Sequence, residues 1–221
     1  MPSKKTNTMN QNTIITVGRQ FGSGGREIGK MLAETFGYTY YDKELISVAA
    51  QESGLCEDVF EKADERASSS LAYVFPLGFS YMGMFSPYHD ILSNDGLFKL
   101  QSDAIRKLAE KESCVLVGRC ADYILRDHPD CISLFIHSDM EHRIKRVTER
   151  QNITVEQARE LIEKTDKSRA AYYNYYTNKA WGASASYDLS INIDILGARG
   201  TVDFIKEFID RKHGSRPPHF G

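Results

Sequence analysis

Short apolar runs alternate with amphipathic stretches along most of the chain. The runs have the length and the β-branched or aromatic composition of buried strands, and they cover residues 13–17, 38–41, 114–118, 131–137 and 187–193. Between the first two runs, apolar residues from Ile28 to Phe36 recur at helical spacing, and Gly37 marks the end of that helix. This alternation predicts an α/β fold of three layers, α/β/α, around a central, mainly parallel five-stranded sheet.

The alternation breaks between about residues 55 and 96. A charged helix is followed there by a stretch rich in glycine, proline and aromatic residues, which predicts an insert over the edge of the sheet. Polar residues 1–12 indicate a disordered N-terminus, and residues 214–221 indicate a frayed tail. The sequence therefore predicts a single domain over residues 13–213.

The charge balance argues against nucleic acid or a membrane surface as the partner. The chain has 28 basic and 30 acidic residues and a net charge of -2, so any anion-binding site must be local. No run of 18 apolar residues occurs, and the polar start lacks the apolar core of a secretory signal. The four cysteines form no C-x-x-C pair and are interpreted as reduced core thiols. We expect a cytoplasmic protein, and the sequence leaves its oligomeric state open.

A glycine-rich turn joins the first strand to the first helix. Residues 18–29, G-R-Q-F-G-S-G-G-R-E-I-G, hold five glycines at this junction, where backbone N–H groups and the helix dipole favour an anion. Glycines adopt left-handed backbone angles at little cost and let phosphate oxygens approach the main chain. The candidates for binding the phosphates of ATP are Gly22, Ser23, Gly24 and Gly25. A tight turn that binds nothing is the alternative.

The turn departs from the Walker pattern G-x-x-x-x-G-K-[ST], because neither a lysine nor a hydroxyl residue follows its glycines. Arg26 occupies the nearest cationic position and is the candidate to act in place of the lysine, since a guanidinium can bind phosphate bidentately. Glu27 cannot replace the hydroxyl that binds Mg²⁺, which leaves Ser23 as the candidate metal ligand. Glu27 also stands where the dinucleotide pattern G-x-G-x-x-G needs its third glycine, so a nicotinamide enzyme is the weaker interpretation.

Charged residues follow two of the predicted strands. Arg119 comes directly after the strand at 114–118, and Asp42 directly after the strand at 38–41. Open α/β sheets bind ligands at the carboxyl ends of their strands, so both residues are candidates for contacting a phosphoryl acceptor, and Asp42 also for Mg²⁺. Asp122 could orient Arg119, although capping of the following helix is an equally ordinary role for either aspartate.

Arginines recur at helical spacing after the fourth strand. Arg143, Arg146 and Arg150 lie at i, i+3 and i+7, on one face of a predicted helix. Such a face could point toward a phosphoryl donor, where arginines neutralise negative charge. A solvated basic face paired with Glu141 and Glu149 is the alternative.

Four blocks of the sequence together resemble the cytidylate kinase-like family. They are the glycine turn, Y-Y-D-K-E-L-I at 40–46, V-G-R-C-A-D-Y-I-L at 117–125 and the segment from Trp181 to Asn192. The resemblance covers residues 13 to about 195. It implies a P-loop nucleoside monophosphate kinase fold, with an insert that binds the monophosphate and an arginine-bearing lid at about residues 143–180.

Three residues match positions that hold the acceptor in true cytidylate kinases. Asp166 and Arg169, in D-K-S-R, resemble the D-x-x-R pair of those enzymes, and Arg119 resembles the arginine of their G-R-D motif. The family segment D-S-G-x-x-Y-R is replaced here by D-K-E-L-I-S-V, so Asp42 matches and Val48 stands at the arginine position.

The resemblance implies an enzyme that moves the γ-phosphoryl group of ATP to a nucleoside monophosphate of the CMP or dCMP type, or to a similar small acceptor, with Mg²⁺ bridging the donor phosphates. The catalytic candidates are Arg26, Arg119, Arg143 and Arg146. The acceptor-binding candidates are Asp42, Arg119, Asp166 and Arg169. Because the Walker lysine and hydroxyl are missing, the alternative hypothesis is a nucleotide-binding regulatory module without phosphoryl transfer.

Overall fold

The computed structural model describes residues 12–42 and 94–214 of the chain. Residues 1–11 of the predicted disordered N-terminus, residues 215–221 of the predicted tail and most of the predicted insert lie outside these residues. Within them, no helix combines the length and the apolar character needed to cross a bilayer.

Strands and helices alternate as the sequence predicts. In chain order the elements are β1 (Ile14–Arg19), α1 (Gly25–Phe36), β2 (Thr39–Tyr41), α2 (Asn94–Lys111), β3 (Cys114–Val117), α3 (Ala121–Ile124), β4 (Cys131–His137), α4 (Met140–Gln151), α5 (Val155–Thr177), β5 (Leu189–Asn192) and α6 (Ile193–Gly214). Gly197, with a φ of 66°, interrupts α6, and a 3₁₀ turn at Ser184–Ser186 precedes β5. The five predicted strands are confirmed, with boundaries that differ by at most two residues.

The five strands form one sheet in the order β2-β3-β1-β4-β5, and every neighbouring pair is parallel. The chain leaves β1 for β2 on one side of it and later crosses from β3 to β4 on the other side. The carboxyl end of β1 therefore lies beside a topological switch point, where open α/β sheets bind their ligands.

Both faces of the sheet are buried. Along β1, Ile14 packs into one apolar cluster and Ile15 into a second, because successive side chains of a strand point to opposite faces. The first cluster includes Ile105 of α2, and the second includes Ile28 of α1 and Ile205 of α6. Helices thus cover both faces, which confirms the predicted three-layer α/β/α arrangement.

Helices α4 and α5 pack beside the glycine turn. They share an apolar cluster, against which Phe21 of the turn also packs; its buried members are Ile144, Val147, Ala158 and Ile162. Thr154 starts α5 with a capping box, in which its hydroxyl accepts from the N–H of Gln157 and the Gln157 side chain accepts from the N–H of Thr154. The segment predicted as a lid thus comprises most of α4 and all of α5.

Three of the four cysteines lie within the described residues, and all three are free thiols. Burial raises the pKa of Cys114, Cys120 and Cys131 to about 12, which keeps them protonated at neutral pH. They match the predicted reduced core thiols, while Cys56 lies outside the described residues.

Candidate active site

The glycine turn ends in an open helix terminus. Gly22 and Gly24 have φ values of 77° and 83°, in the left-handed region that favours glycine. Gly24 is the N-cap of α1 and no side chain caps the helix there. Because the first N–H groups of a helix have no partner within it, this terminus is suited to binding an anion.

Neighbouring side chains hold the turn close to α4. A Cβ atom at Gly22 would lie 2.9 Å from Cγ2 of Val147 and 3.1 Å from the carbonyl oxygen of Arg143. Any larger residue at position 22 would therefore push the turn away from α4, in addition to straining its backbone. The turn and α4 form one packed unit.

Ser23 is fully buried and its hydroxyl is used within the turn. The hydroxyl donates to the carbonyl oxygen of Gln20 at 2.9 Å, and its oxygen accepts from the N–H of Gly25 at 3.4 Å. This inward orientation does not fit the predicted role of Ser23 as a magnesium ligand. Asp42 fits better by position, since Mg²⁺ is usually held by one or two carboxylates, by water and by substrate phosphates.

Three guanidinium groups lie near one another at the carboxyl edge of β1, β2 and β3, and two of them pair with Asp42. Asp42 forms an ion pair with Arg26, whose Nε lies 2.5 Å from Oδ2 of the carboxylate. The other carboxylate oxygen, Oδ1, lies 3.7 Å from Nη2 of Arg19. The charges that act on Arg19 include those of Asp42, Arg26 and Arg119. We call Arg19, Arg26 and Arg119 the arginine cluster. The structure thus brings together Arg26, Asp42 and Arg119, three of the predicted site residues.

Arg119 is held in an unusual backbone conformation. Gly118, Arg119 and Cys120 follow β3 with successive φ values of 83°, 59° and 55°. Non-glycine residues seldom adopt such angles, which cost free energy and are concentrated at functional sites. The conformation places Arg119 in the arginine cluster rather than continuing the line of the strand.

Arg19 is the member of the cluster that the sequence interpretation missed. Its side chain is only 17% exposed. Burial lowers the pKa of Arg19 to about 10; the charge of Asp42 opposes this shift, whereas those of Arg26 and Arg119 add to it. Arg19 is therefore a buried cation at neutral pH. As the last residue of β1, it could have been recognised by the same argument that singles out Arg119 after β3.

Arg143 lies on the other side of the glycine turn and is buried, with only 5% of its side chain exposed. It forms an ion pair with Asp166, and its Nε donates to the carbonyl oxygen of Phe21 at 2.8 Å. Asp166 in turn accepts from the N–H of Phe21 at 2.8 Å. Arg169 donates to the carbonyl oxygen of Arg19 at 3.0 Å, and its guanidinium lies 5.5 Å from the centre of the Phe21 ring. These predicted site residues therefore hold the backbone of the turn.

Arg146 is paired in a similar way. It donates to Oγ of Ser138 at 2.8 Å and to Asp194 at 3.1 Å, and it lies 3.4 Å from the carbonyl oxygen of Gly22. We call Arg143 and Arg146 the paired arginines. The alternative of a solvated face paired with glutamates is wrong for both, because their partners are the distant aspartates Asp166 and Asp194.

Asp194 is a second residue that sequence reasoning missed. Burial opposes its ionisation, but hydrogen bonds from the N–H of Asp139, from Ser138, from Arg146 and from His142 prevail and lower the pKa of Asp194 to about 2. Ligand atoms of Asp139, His142 and Asp194 lie within 4.8 Å of one another. Because Asp194 already accepts these bonds, its main role is to tie the start of α6 to α4 and to the two residues that lead into α4.

Asp122 connects the segment after β3 to α5. It accepts a hydrogen bond from the hydroxyl of Tyr173 at 2.6 Å. Burial raises the pKa of Asp122, while the bond from Tyr173 opposes that shift. The partner of Asp122 identified here is thus a tyrosine of the lid segment, which links this segment to the loop that carries Arg119.

Known proteins resemble the chain along most of its length. Residues 14–195 match the family model described as the cytidylate kinase-like family. The cytidylate kinase of Methanosarcina barkeri is 27% identical over 197 residues, which cover 89% of this chain and 96% of that protein. The cytidylate kinase of Methanopyrus kandleri is 25% identical over 206 residues, which cover 89% and 93%.

Solved structures agree with this relationship. An uncharacterized protein from Eubacterium ventriosum is 33% identical, with a TM-score of 0.66 over 90% of this chain and 99% of the other. The shikimate kinase from Bacteroides thetaiotaomicron is 14% identical, with a TM-score of 0.54 over 90% and 98%, and supports the fold alone. With the whole five-stranded sheet and its glycine turn inside the matched residues, the chain belongs to the cytidylate kinase-like family and has the P-loop kinase fold.

Proposed function

We propose that the protein transfers the γ-phosphoryl group of ATP to a nucleoside monophosphate of the CMP or dCMP type. Membership of the family and the P-loop kinase fold support a nucleotide kinase. The observation that carries the proposal is the meeting, at one edge of the sheet, of an uncapped helix terminus and three guanidinium groups. Phosphoryl transfer requires little more than phosphates held in line and their charge neutralised.

The glycine turn is the proposed donor site. Its left-handed glycines and the open N-terminus of α1 offer backbone N–H groups to the phosphates of ATP. Mg²⁺ would enter with the nucleotide and supply charge neutralisation between the donor phosphates, with Asp42 as the nearby carboxylate. Contacts of the turn with α4 and α5 keep its shape fixed before the donor binds.

The arginine cluster is the proposed meeting point of donor and acceptor. Arg119 and Asp42 follow neighbouring strands of the sheet, and both match acceptor-binding positions of cytidylate kinases. Asp166 and Arg169 match such positions as well, and they lie against the turn from the side of α5. An acceptor phosphate between these groups would face the donor across the turn.

A coupled assay of ADP release from MgATP tests the proposal. CMP, dCMP and UMP would be compared as acceptors, with shikimate as an acceptor outside the nucleotide class. Release that depends on a cytidine monophosphate, with the phosphorylated nucleotide identified by chromatography, is the expected result.

Two other results would replace the proposal. ADP release with shikimate but with none of the nucleotides would assign the protein to a different acceptor class. No release with any acceptor, although ATP raises the melting temperature, would favour the regulatory module that binds nucleotide without transfer.

A further inference from the structure

The position that follows Gly24, the last glycine of the turn before α1, carries no charged side chain in this chain. In the Walker pattern a lysine stands there, at the start of the helix, and reaches the terminal phosphates of the donor. Here Gly24 ends the turn and Gly25 opens α1, so Gly25 holds the position equivalent to that lysine. Gly25 does not have a positive φ, and its backbone conformation would accept a side chain.

What excludes a side chain at Gly25 is Arg19. A Cβ atom at Gly25 would lie 2.5 Å from Cβ of Arg19 and 3.0 Å from its Cγ. The aliphatic part of Arg19 thus runs through the space in which a lysine at position 25 would begin. The two side chains cannot be present together without movement of the backbone.

The far end of Arg19 lies against a second glycine. Its guanidinium lies against Gly118, where the Cζ atom would be 2.9 Å from an added Cβ. Two glycines, one at the start of α1 and one after β3, therefore leave a path for this arginine from the end of β1 to the centre of the arginine cluster.

The environment of the guanidinium suits an anionic guest. Within the described part of the chain, it forms an ion pair with Asp42 at 3.7 Å, a distance longer than a hydrogen bond. Arg26 and Arg119 add further positive charge beside it. Arg26, in contrast, is half exposed and pairs with Asp42 at 2.5 Å. Of the two arginines, Arg19 is the more buried and the less fully paired.

We infer that Arg19, rather than Arg26, supplies the charge that a lysine after the glycine turn would bring to the terminal phosphates of the donor. The inference rests on the proposed function, which it deepens by naming the phosphate-binding cation. A guanidinium binds two phosphate oxygens at once, and a buried one does so with little competition from water.

Titration calorimetry with MgATP, tripolyphosphate and CMP tests the inference without relying on turnover. Arg19→Ala should weaken the binding of MgATP and of tripolyphosphate by about 10- to 100-fold, with a much smaller effect on CMP. Arg26→Ala should weaken them less than Arg19→Ala does. The matched control is Arg211→Ala, which removes an arginine that is 76% exposed on α6 and should leave all three affinities unchanged.

A second variant pair covers the case in which Arg19→Ala does not fold. Arg19→Lys keeps the charge and should keep most of the affinity for tripolyphosphate, whereas Arg19→Gln keeps the polar chain and should lose it. Equal affinities for these two variants would overturn the inference.

The spatial claim has its own test. Gly25→Lys alone should weaken MgATP binding because the new side chain meets Cβ and Cγ of Arg19, but it should restore binding when it is combined with Arg19→Gly, which removes both atoms. Additive losses in the double variant would overturn the claim that the two side chains compete for one space.

The outcomes separate the inference from the proposed function. A wild-type protein that binds neither MgATP nor tripolyphosphate would overturn both. A wild-type protein that binds MgATP and transfers phosphate, with Arg19→Ala as tight as wild type, would overturn the inference alone. A loss of CMP binding that exceeds the loss of MgATP binding would also overturn it, since Arg19 would then serve the acceptor.

Discussion

The two sides of the glycine turn both carry arginines, but they use them differently. On the side of α4 and α5, the paired arginines Arg143 and Arg146 each have an aspartate and also lie against a carbonyl oxygen of the turn. On the side of β2 and β3, Arg19 and Arg26 of the arginine cluster share Asp42, and the charge of Arg119 acts on Arg19 as well. Among the described residues, each paired arginine thus has an aspartate of its own, whereas Arg19 and Arg26 share one.

The difference separates residues that shape the turn from residues that concentrate positive charge beside it. Position after a strand marked Arg119 as a candidate, and helical spacing marked Arg143. A buried arginine with its own carboxylate contributes mainly to the position of its neighbours, whereas a group of cations around one carboxylate favours an anion. The comparison predicts that substitutions on the first side act on stability and those on the second act on turnover.

The largest effect on stability is expected from Asp166→Ala. The substitution leaves the buried guanidinium of Arg143 without its carboxylate and the N–H of Phe21 without its acceptor. We expect a loss of about 3–5 kcal/mol in the free energy of unfolding, measured by urea denaturation.

A double variant provides the control for this loss. Arg143→Met combined with Asp166→Leu removes both charges, and it should be less destabilised than Asp166→Ala alone. A loss below about 1 kcal/mol for Asp166→Ala would break the comparison, because the pair would then not shape the turn.

Arg119→Ala should leave the fold intact and lower kcat/KM for phosphoryl transfer by about 100- to 1,000-fold, the effect of removing one group that stabilises transition-state charge. Steady-state kinetics beside thermal unfolding would show the two effects separately. Arg126→Ala is the matched control, since Arg126 lies on the exposed loop after α3 and packs on Tyr123. Unchanged kinetics in Arg119→Ala would remove Arg119 from the mechanism.

Lowering the pH should lower the free energy of unfolding, because Asp194 becomes protonated and loses its ion pair with Arg146 on the side of α4. Its pKa is lowered to about 2 in the folded protein, below its value in the unfolded chain near 3.8. The stabilisation of the folded state that this lower pKa gives, about 2 kcal/mol at most, is therefore present above pH 4 and is lost as the pH falls toward 2. The difference in unfolding free energy between wild type and Asp194→Asn should shrink over that interval, and a difference that does not vary with pH would contradict the prediction.

The smallest effect concerns the backbone of Arg119. Glycine adopts its φ of 59° without strain, so Arg119→Gly should be more stable than Arg119→Ala by about 1 kcal/mol, although both should be inactive. Denaturant unfolding of the two variants measures this difference. Equal stabilities would mean that the loop after β3 relaxes when the arginine side chain is removed.

Local patterns in the sequence were sufficient to predict the strands of the sheet and the glycine turn. The strands follow from runs such as residues 131–137, which match β4 residue for residue, and the start of α1 follows from the glycines before it. Arg119 was predictable because the end of a buried strand fixes where the next residue lies. These inferences use neighbours in the sequence and need no knowledge of the packing.

The partners of the arginines were not predictable, because they come from distant parts of the chain. Arg143 and Asp166 lie on different helices, and the path of Arg19 depends on Gly25 and Gly118, more than ninety residues apart. Neighbouring glutamates offered equally plausible partners for a helical arginine. Burial, which no single-sequence pattern measures directly, decides between them.

Two side chains of helix α5 hold the backbone of the glycine turn. Asp166 accepts from the N–H of Phe21, and Arg169 donates to the carbonyl oxygen of Arg19. An acceptor that binds to this pair acts on the same two side chains that set the shape of the donor site. Thermodynamic linkage then requires reciprocity, in that the acceptor changes the affinity for ATP by the same factor as ATP changes the affinity for the acceptor. The ternary complex is therefore not described by its two binary dissociation constants, and the order in which substrates are added becomes informative.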